Sequence, residues 1–200
     1  TLFRSVYFDK AAPVVSVTAP NVTGDGIATV GVSADAIVGT TTLRGQISDA
    51  SKLAKFYYII PDATQKAAID ATSYTFNATG WTEMSDVVNA DGEKLNTGYK
   101  SKTSMIWQIP IVSSKFTMES GEGLSLVYYA TATTGTQTKT LTYAEKIDGS
   151  TNVYVPLYFY AEDETGKGQI YKNKILVDPI GGIPVVEIIT PEQEIGRAHV

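Results

Sequence analysis

The stretch VYVPLYFYA at residues 153–161 is followed by EDETGKG at 162–168 and QIYKNKILV at 169–177. Both outer runs are rich in β-branched and aromatic residues, which pack well on the pleated, half-buried surface of a sheet. The segment between them carries two glycines and several polar residues, a composition typical of a turn. The stretch therefore predicts a β-hairpin, and this hairpin decides the fold class.

The rest of the chain repeats this pattern of short strands separated by turns. Residues 40–48 alternate between two faces, with Leu43, Gly45 and Ile47 on the face that we expect to be buried, and a turn begins at Asp49. Proline in the middle of a run favours an edge strand, so Pro110 places the strand at 104–112 at a sheet edge. Further strands are predicted at 14–18, 56–60 and 80–84, and a second hairpin pairs 124–133 with 136–144. Seven or more strands predict an all-β fold, an antiparallel β-sandwich.

One short helix interrupts the strands. Asp62 and Thr64 are both suited to cap its N-terminus, and the alanine-rich segment up to Ala71 favours helical backbone. Because this helix is short, we expect it to lie within a loop of the β fold.

Both ends of the chain resemble translated sequencing-adaptor sequence. TLFRS stands at residues 1–5 and EIGRAHV at 194–200. We therefore expect 6–193 to be the native part, with both true termini missing, and leave the two ends out of the fold argument. The only histidine, His199, falls in the second of these segments.

A short motif occurs twice. PVVSVTAP at 13–20 returns as PVVEIITP at 184–191, with both prolines 171 residues apart. Repetition at fixed spacing is typical of tandem modules. The repeated motif predicts one module at 13–178, preceded by a linker at 6–12. A second linker and the first strand of the next module would occupy 179–193.

Residues 9–191 resemble the immunoglobulin-like, fibronectin type III-like tandem repeats of large bacterial surface proteins. The motifs that carry the resemblance are DKAAPVVSVTAP at 9–20, GQISD at 45–49, YFYAEDETGK at 158–167 and KILVD at 174–178. Lys167 stands where those repeats usually have asparagine. The predicted module also exceeds the roughly 100 residues of a plain immunoglobulin domain, so we expect insertions near 62–79 and 119–150.

The resemblance implies a structural role outside the cell. The expected function is a non-catalytic spacer in an exported or cell-surface bacterial protein, such as the stalk of an adhesin. Its first partners would be neighbouring modules of the same chain, and a host protein, a matrix protein or a carbohydrate is the further partner implied. The alternative is a ligand-binding β-sandwich, either calcium-linked or carbohydrate-binding.

Composition argues against several other functions. The net charge is −5 and the lysines do not cluster, whereas nucleic-acid binding needs a basic face. There is no cysteine, and with His199 set aside no histidine remains for a catalytic triad or a zinc site. The adjacent carboxylates Glu162, Asp163 and Glu164 are poorly placed as an acid/base pair. No apolar run reaches the roughly 20 residues of a membrane-spanning helix. We therefore expect neither an enzyme nor a membrane-inserted segment.

Four acids are the candidate calcium ligands. Calcium takes six to eight oxygen ligands, often from carboxylates in loops. Asp9, Asp49, Asp163 and Asp178 all follow or precede predicted strands, and the calcium hypothesis requires several of them to meet at one end of the sandwich. The competing interpretation, which we favour, is that they cap turns, because no Asp-x-Asp-x-Asp loop is present.

Aromatic residues are the candidate carbohydrate ligands. Trp81 and Tyr99 lie near polar segments, so we expect them to stack on sugar rings if the chain binds carbohydrate. Trp81 is the stronger surface candidate. Trp107 alternates with Met105 and Ile109 and is predicted to be part of the core.

Overall fold

The computed structural model describes residues 11–19, 22–23, 31–118, 125–133, 136–147 and 149–180. The described part of the protein is mostly β, with antiparallel sheets and one α-helix. The strands are β1 (Val14–Ala19), β2 (Val22–Thr23), β3 (Gly31–Ile37), β4 (Thr40–Ser48), β5 (Leu53–Ile59), β6 (Thr82–Glu83), β7 (Ser104–Val112), β8 (Phe116–Met118), β9 (Ser125–Thr133), β10 (Thr136–Tyr143), β11 (Glu145–Lys146), β12 (Val153–Asp163) and β13 (Gly168–Val177). The α-helix, α1, spans Ala63–Asp70.

The described strands form three sheets. The first sheet has the order β1-β4-β7, and the second has the order β2-β3-β13-β12-β5-β6, with β11 added beside β12. The third sheet has the order β10-β9-β8. Among the described strands the pairs are antiparallel, except that β3 runs parallel to β13.

The first and second sheets share one apolar core. The first contributes residues such as Leu43, Ile47 and Trp107, and the second contributes residues such as Phe56 and Phe159, all of them 0% exposed. The ring of Phe56 packs edge-on against Trp107 at 6.3 Å and stacks on Phe159 at 6.0 Å. These contacts confirm the prediction that Trp107 belongs to the core.

Several sequence predictions are confirmed at the level of single residues. The strands at 40–48 and 104–112 have the predicted bounds, and the second of them, β7, lies at the edge of its sheet. Both predicted hairpins form, as β9–β10 and as β12–β13. The helix is capped by Asp62, whose side chain accepts from Gln65 N while the Gln65 side chain accepts from Asp62 N.

The long strand β12 is buried on both faces. Leu157, Phe159 and Ala161 point into the shared core, whereas Tyr158 and Tyr160 belong to a separate apolar cluster. A strand covered on both sides reads as a continuous apolar run, which explains the sequence of residues 153–161. The cover on the second side comes from the segment between β5 and β6.

Candidate functional site

Residues 62–81 cover the outer face of the second sheet. Their side chains and those of the strands below form the outer cluster, which consists of Tyr57, Ile59, Ile69, Tyr74, Phe76, Trp81, Tyr158, Tyr160 and Ile170. Phe76 is its centre, because its ring stacks on Tyr160 at 3.5 Å and packs edge-on against Trp81 at 5.4 Å. The segment that the sequence marked as an insertion thus builds a second, smaller apolar core.

The prediction that Trp81 is a surface residue is wrong. Only 8% of Trp81 is exposed, and its indole Nε1 donates to the hydroxyl of Tyr74 at 3.2 Å. The polar neighbours in sequence were misleading, because residues 74–80 fold back and bring Tyr74 and Phe76 against the indole.

A pocket of about 430 Å³ opens beside Trp81. Its lining consists of Ile59, Gln65, Ala68, Ile69, Tyr74, Asn77, Thr79, Gly80 and Trp81. All nine residues are uncharged. The size lies within the range of small-molecule sites, and the mixture of an apolar wall with a few polar groups is typical of them.

Two side-chain amides of this pocket have their oxygens occupied. Gln65 Oε1 accepts from Asp62 N at 3.0 Å, and Asn77 Oδ1 accepts from Thr79 N at 3.0 Å. These bonds fix which end of each amide is the nitrogen. Neither Gln65 Nε2 nor Asn77 Nδ2 donates to another group within the described part of the chain.

An ion-pair network holds α1 against the second sheet. Asp70, the last residue of α1, binds Lys66 Nζ at 2.7 Å and Lys172 Nζ at 2.8 Å, and it accepts from the Tyr158 hydroxyl at 3.1 Å. Burial alone would raise the pKa of Asp70, but the hydrogen bonds from Lys172 and Lys66 outweigh it and lower the pKa. Burial and the charge of Asp70 raise the pKa of Tyr158. Sequence reasoning missed this network, although Lys66 and Asp70 have the i,i+4 spacing of helical ion pairs.

The prediction of an exposed Tyr99 is also wrong. Tyr99 is 1% exposed, and its hydroxyl donates to Glu83 Oε1 at 2.7 Å while accepting from Phe56 N at 3.2 Å. Lys100 Nζ lies 2.9 Å from the same carboxylate oxygen and, together with Tyr99, lowers the pKa of Glu83. Tyr99 therefore joins the loop after β6 to the backbone of β5 and offers no free ring face to a sugar.

The three described calcium candidates each bind nearby backbone. Asp163 is 1% exposed, and its Oδ1 accepts from Thr165 N at 2.8 Å and from Lys167 N at 2.9 Å. Asp49 accepts from Ser51 N at 2.6 Å and Asp178 from Ile180 N at 3.1 Å. This is the turn-capping geometry of short acidic side chains.

The candidate acids do not all meet at one end of the protein. Asp163 lies at the β12–β13 turn, whereas Asp178 follows the far end of β13. Because β13 has ten residues, its two ends, where Asp163 and Asp178 lie, are roughly 33 Å apart. Asp49 lies at the Asp163 end, since Glu164 N donates to Lys52 O. The convergence that the calcium hypothesis requires therefore does not include Asp178, and Asp9 lies outside the described residues. Within the described ranges no group of three acidic or histidine side chains is gathered to hold a metal ion.

A second pocket of about 590 Å³ is lined in part by Tyr74, Phe76 and Tyr160. Its charged groups are already paired, because Lys55 Nζ binds Glu162 Oε1 at 2.8 Å and the Tyr160 hydroxyl donates to the same carboxylate. Burial would raise the pKa of Glu162, but the bonds from Lys55 and Tyr160 lower it. The carboxylate of Glu162 is therefore already bound by Lys55 and Tyr160.

Comparisons with protein-family models, with curated proteins and with solved structures find no match to this chain. No helix in the described ranges is long and apolar enough to cross a membrane.

Proposed function

We propose that the chain is a non-catalytic, immunoglobulin-like β-sandwich module that serves as a spacer in an exported or cell-surface protein. The strand order supports the sandwich. In immunoglobulin domains one sheet contains strands A, B, E and D, and the other contains C, F and G. In the proposed correspondence β1, β4 and β7 stand for A, B and E, with no described counterpart of D, and β5, β12 and β13 stand for C, F and G. The parallel partner β3 then extends the second sheet beside its last strand.

The observation that carries the spacer proposal is the position of the first and last strands. The Tyr171 hydroxyl donates to Pro13 O, so the chain enters β1 near the beginning of β13. It leaves β13 at the opposite end, where Asp178 N donates to Ile37 O at 3.0 Å. Entry and exit are thus separated by about seven residues of β13, roughly 23 Å. Modules with this arrangement can follow one another in line.

The parallel pairing of β3 with β13 suits a module under tension. Gly31 lies opposite Asn173 and Ile37 opposite Val177, so a pull between the two ends of the module acts along both strands. When the force acts parallel to two paired strands, the hydrogen bonds between them must break together. When the force acts perpendicular to the strands, these hydrogen bonds break one after another. The partners of such a spacer would be neighbouring modules, with a host protein, a matrix protein or a carbohydrate bound elsewhere on the same molecule.

Single-molecule pulling tests this proposal. The chain has no cysteine, so cysteines introduced at Ala11 and Ile180 give unique attachment points at opposite ends. A matched variant attaches at Ala11 and Lys167, which lie at the same end, and peels strands apart. We expect a higher rupture force for Ala11 with Ile180 than for Ala11 with Lys167. Equal forces in the two directions would exclude a load-bearing spacer.

A further inference from the structure

The pocket beside Trp81 differs from the second pocket in the state of its polar groups. Lys55 and Glu162 in the second pocket satisfy each other. The Trp81 pocket instead has two amide nitrogens without a partner in the described part of the chain, on Gln65 and Asn77. A side-chain N–H group that has no protein partner and lies at the mouth of an apolar pocket can donate a hydrogen bond to a ligand.

The walls of the pocket combine aromatic and aliphatic surfaces. Tyr74 and Trp81 are joined by the 3.2 Å hydrogen bond, and Phe76 packs against the indole from the side. Ile69 of α1 is 4% exposed and forms the opposite part of the wall. The rings therefore need little reorganisation to receive a ligand.

We propose that the pocket lined by Gln65, Tyr74, Asn77 and Trp81 binds a neutral sugar ring. The uncharged lining favours a neutral ligand, because none of the nine side chains offers an ion-pair partner. The apolar C–H face of a pyranose packs on the aromatic wall, mainly on the half-buried ring of Tyr74 beside the small exposed part of Trp81, and its hydroxyl oxygens accept from Gln65 Nε2 and Asn77 Nδ2. An entirely apolar ligand would use neither donor, and covering the half-buried Gln65 amide without a hydrogen bond would be unfavourable. This binding activity goes beyond the spacer role.

Gly80 sets the shape of the pocket rim. Its φ of +80° is one that residues with a side chain rarely adopt, and a Cβ at this position would lie 2.9 Å from Gln65 Nε2. The backbone of Gly80 and the amide of Gln65 are therefore in close contact. The local sequence keeps this donor at the rim through the Asp62–Gln65 capping box.

Tryptophan fluorescence and NMR titration test the proposal with defined probes: glucose, galactose, mannose and N-acetylglucosamine, with glucuronate and indole for comparison. Trp107 is 0% exposed in the shared core, so a change in emission on binding reports Trp81. We expect saturable binding of at least one neutral sugar with amide shifts at Gln65 and Asn77. We also expect at least about tenfold weaker binding of glucuronate and indole, a difference of about 1.4 kcal/mol.

Variants separate this site from general effects on folding. Asn77→Asp places a charge in the neutral pocket while keeping the oxygen that accepts from Thr79 N, and we expect at least about tenfold weaker sugar binding. Asn152→Asp is the control, because it makes the same substitution at a half-buried loop asparagine that lies outside the pocket. Absence of binding by all four neutral sugars would overturn the proposal. So would equal binding of indole, or an equal effect of the two variants.

Discussion

The side chain of Asn96 pairs with the backbone of Gln108 as a neighbouring strand would. Asn96 Oδ1 accepts from Gln108 N at 2.7 Å, and Asn96 Nδ2 donates to Gln108 O at 2.7 Å and to Met84 O at 3.2 Å. Gln108 lies in the middle of β7, the edge strand of the first sheet. An open edge invites pairing with another chain, so Asn96, which is 1% exposed, blocks this edge.

Replacement of Asn96 by alanine is therefore expected to destabilise the protein and to open the edge of β7. Loss of the partners of buried polar groups costs about 1–3 kcal/mol, which urea denaturation would measure. Asn89→Ala is the control for loss of a loop asparagine, and we expect it to lower the free energy of unfolding by less than Asn96→Ala does. Sedimentation of Asn96→Ala should also reveal association that increases with concentration. A variant as stable as the control would contradict the role assigned to Asn96.

The sequence predicted those elements whose signals are local. The bounds of β4 and β7 and the two hairpins follow from alternation and from turn residues within a few positions. Strand β3 was missed because its partner β13 is about 140 residues away in sequence and leaves no mark on the local pattern.

The site was less predictable than the fold, for the same physical reason. The burial of Trp81 depends on how residues 74–80 fold back over it, and polar neighbours in sequence suggested exposure instead. Tyr99 and Asn96 are buried by contacts with backbone of distant strands. A side chain that replaces a missing strand partner has no periodicity, so only the tertiary structure reveals it.

Gly45 is expected to be irreplaceable in β4. A Cβ at this position would overlap both the carbonyl oxygen of Ser16 on β1 and the indole ring of Trp107 on β7. Because one of these atoms belongs to backbone, a smaller residue in place of Trp107 cannot relieve the overlap. We expect Gly45→Ala to lower the free energy of unfolding by more than about 3 kcal/mol. The double variant Gly45→Ala, Trp107→Phe should not recover this stability. A melting temperature close to that of the parent protein would show that β1 and β7 move apart easily.

The Tyr99 hydroxyl is expected to contribute to stability through Phe56 N and Glu83. Tyr99→Phe keeps the buried ring but leaves the amide of Phe56 and the carboxylate of Glu83 each without one hydrogen bond. The expected loss is about 1–3 kcal/mol, measured by urea denaturation at pH 7. Tyr154→Phe serves as the control, since Tyr154 is only half-buried on β12. Equal losses in the two variants would rule out a special role for the Tyr99 hydroxyl.

The stability of the protein is expected to depend on pH through Asp70. Because the pKa of Asp70 is lower in the folded state than in the unfolded state, its ionised form stabilises the fold above the unfolded pKa. This contribution disappears as the pH falls through the folded pKa. Asp70→Asn should therefore be less stable than the parent protein at pH 7 and should approach it as the pH falls through the lowered pKa of Asp70. Asp86→Asn is the control, because its ion pair with Lys94 is largely exposed. A difference that persists unchanged at low pH would assign the effect to packing instead of charge.

Asp163 offers the sharpest distinction between a turn cap and a calcium ligand. Its Oδ1 accepts from two backbone amides, and its carboxylate also binds the hydroxyl of Thr165. An asparagine side chain would keep the acceptor oxygen and lose the charge, so Asp163→Asn should cost much less stability than Asp163→Ala, for which we expect about 1–3 kcal/mol. The midpoint of thermal unfolding should be the same with added calcium and with a chelator. A calcium-dependent midpoint that Asp163→Asn abolishes would make Asp163 a metal ligand, because replacing a charged carboxylate by a neutral amide weakens a calcium site but leaves the turn intact.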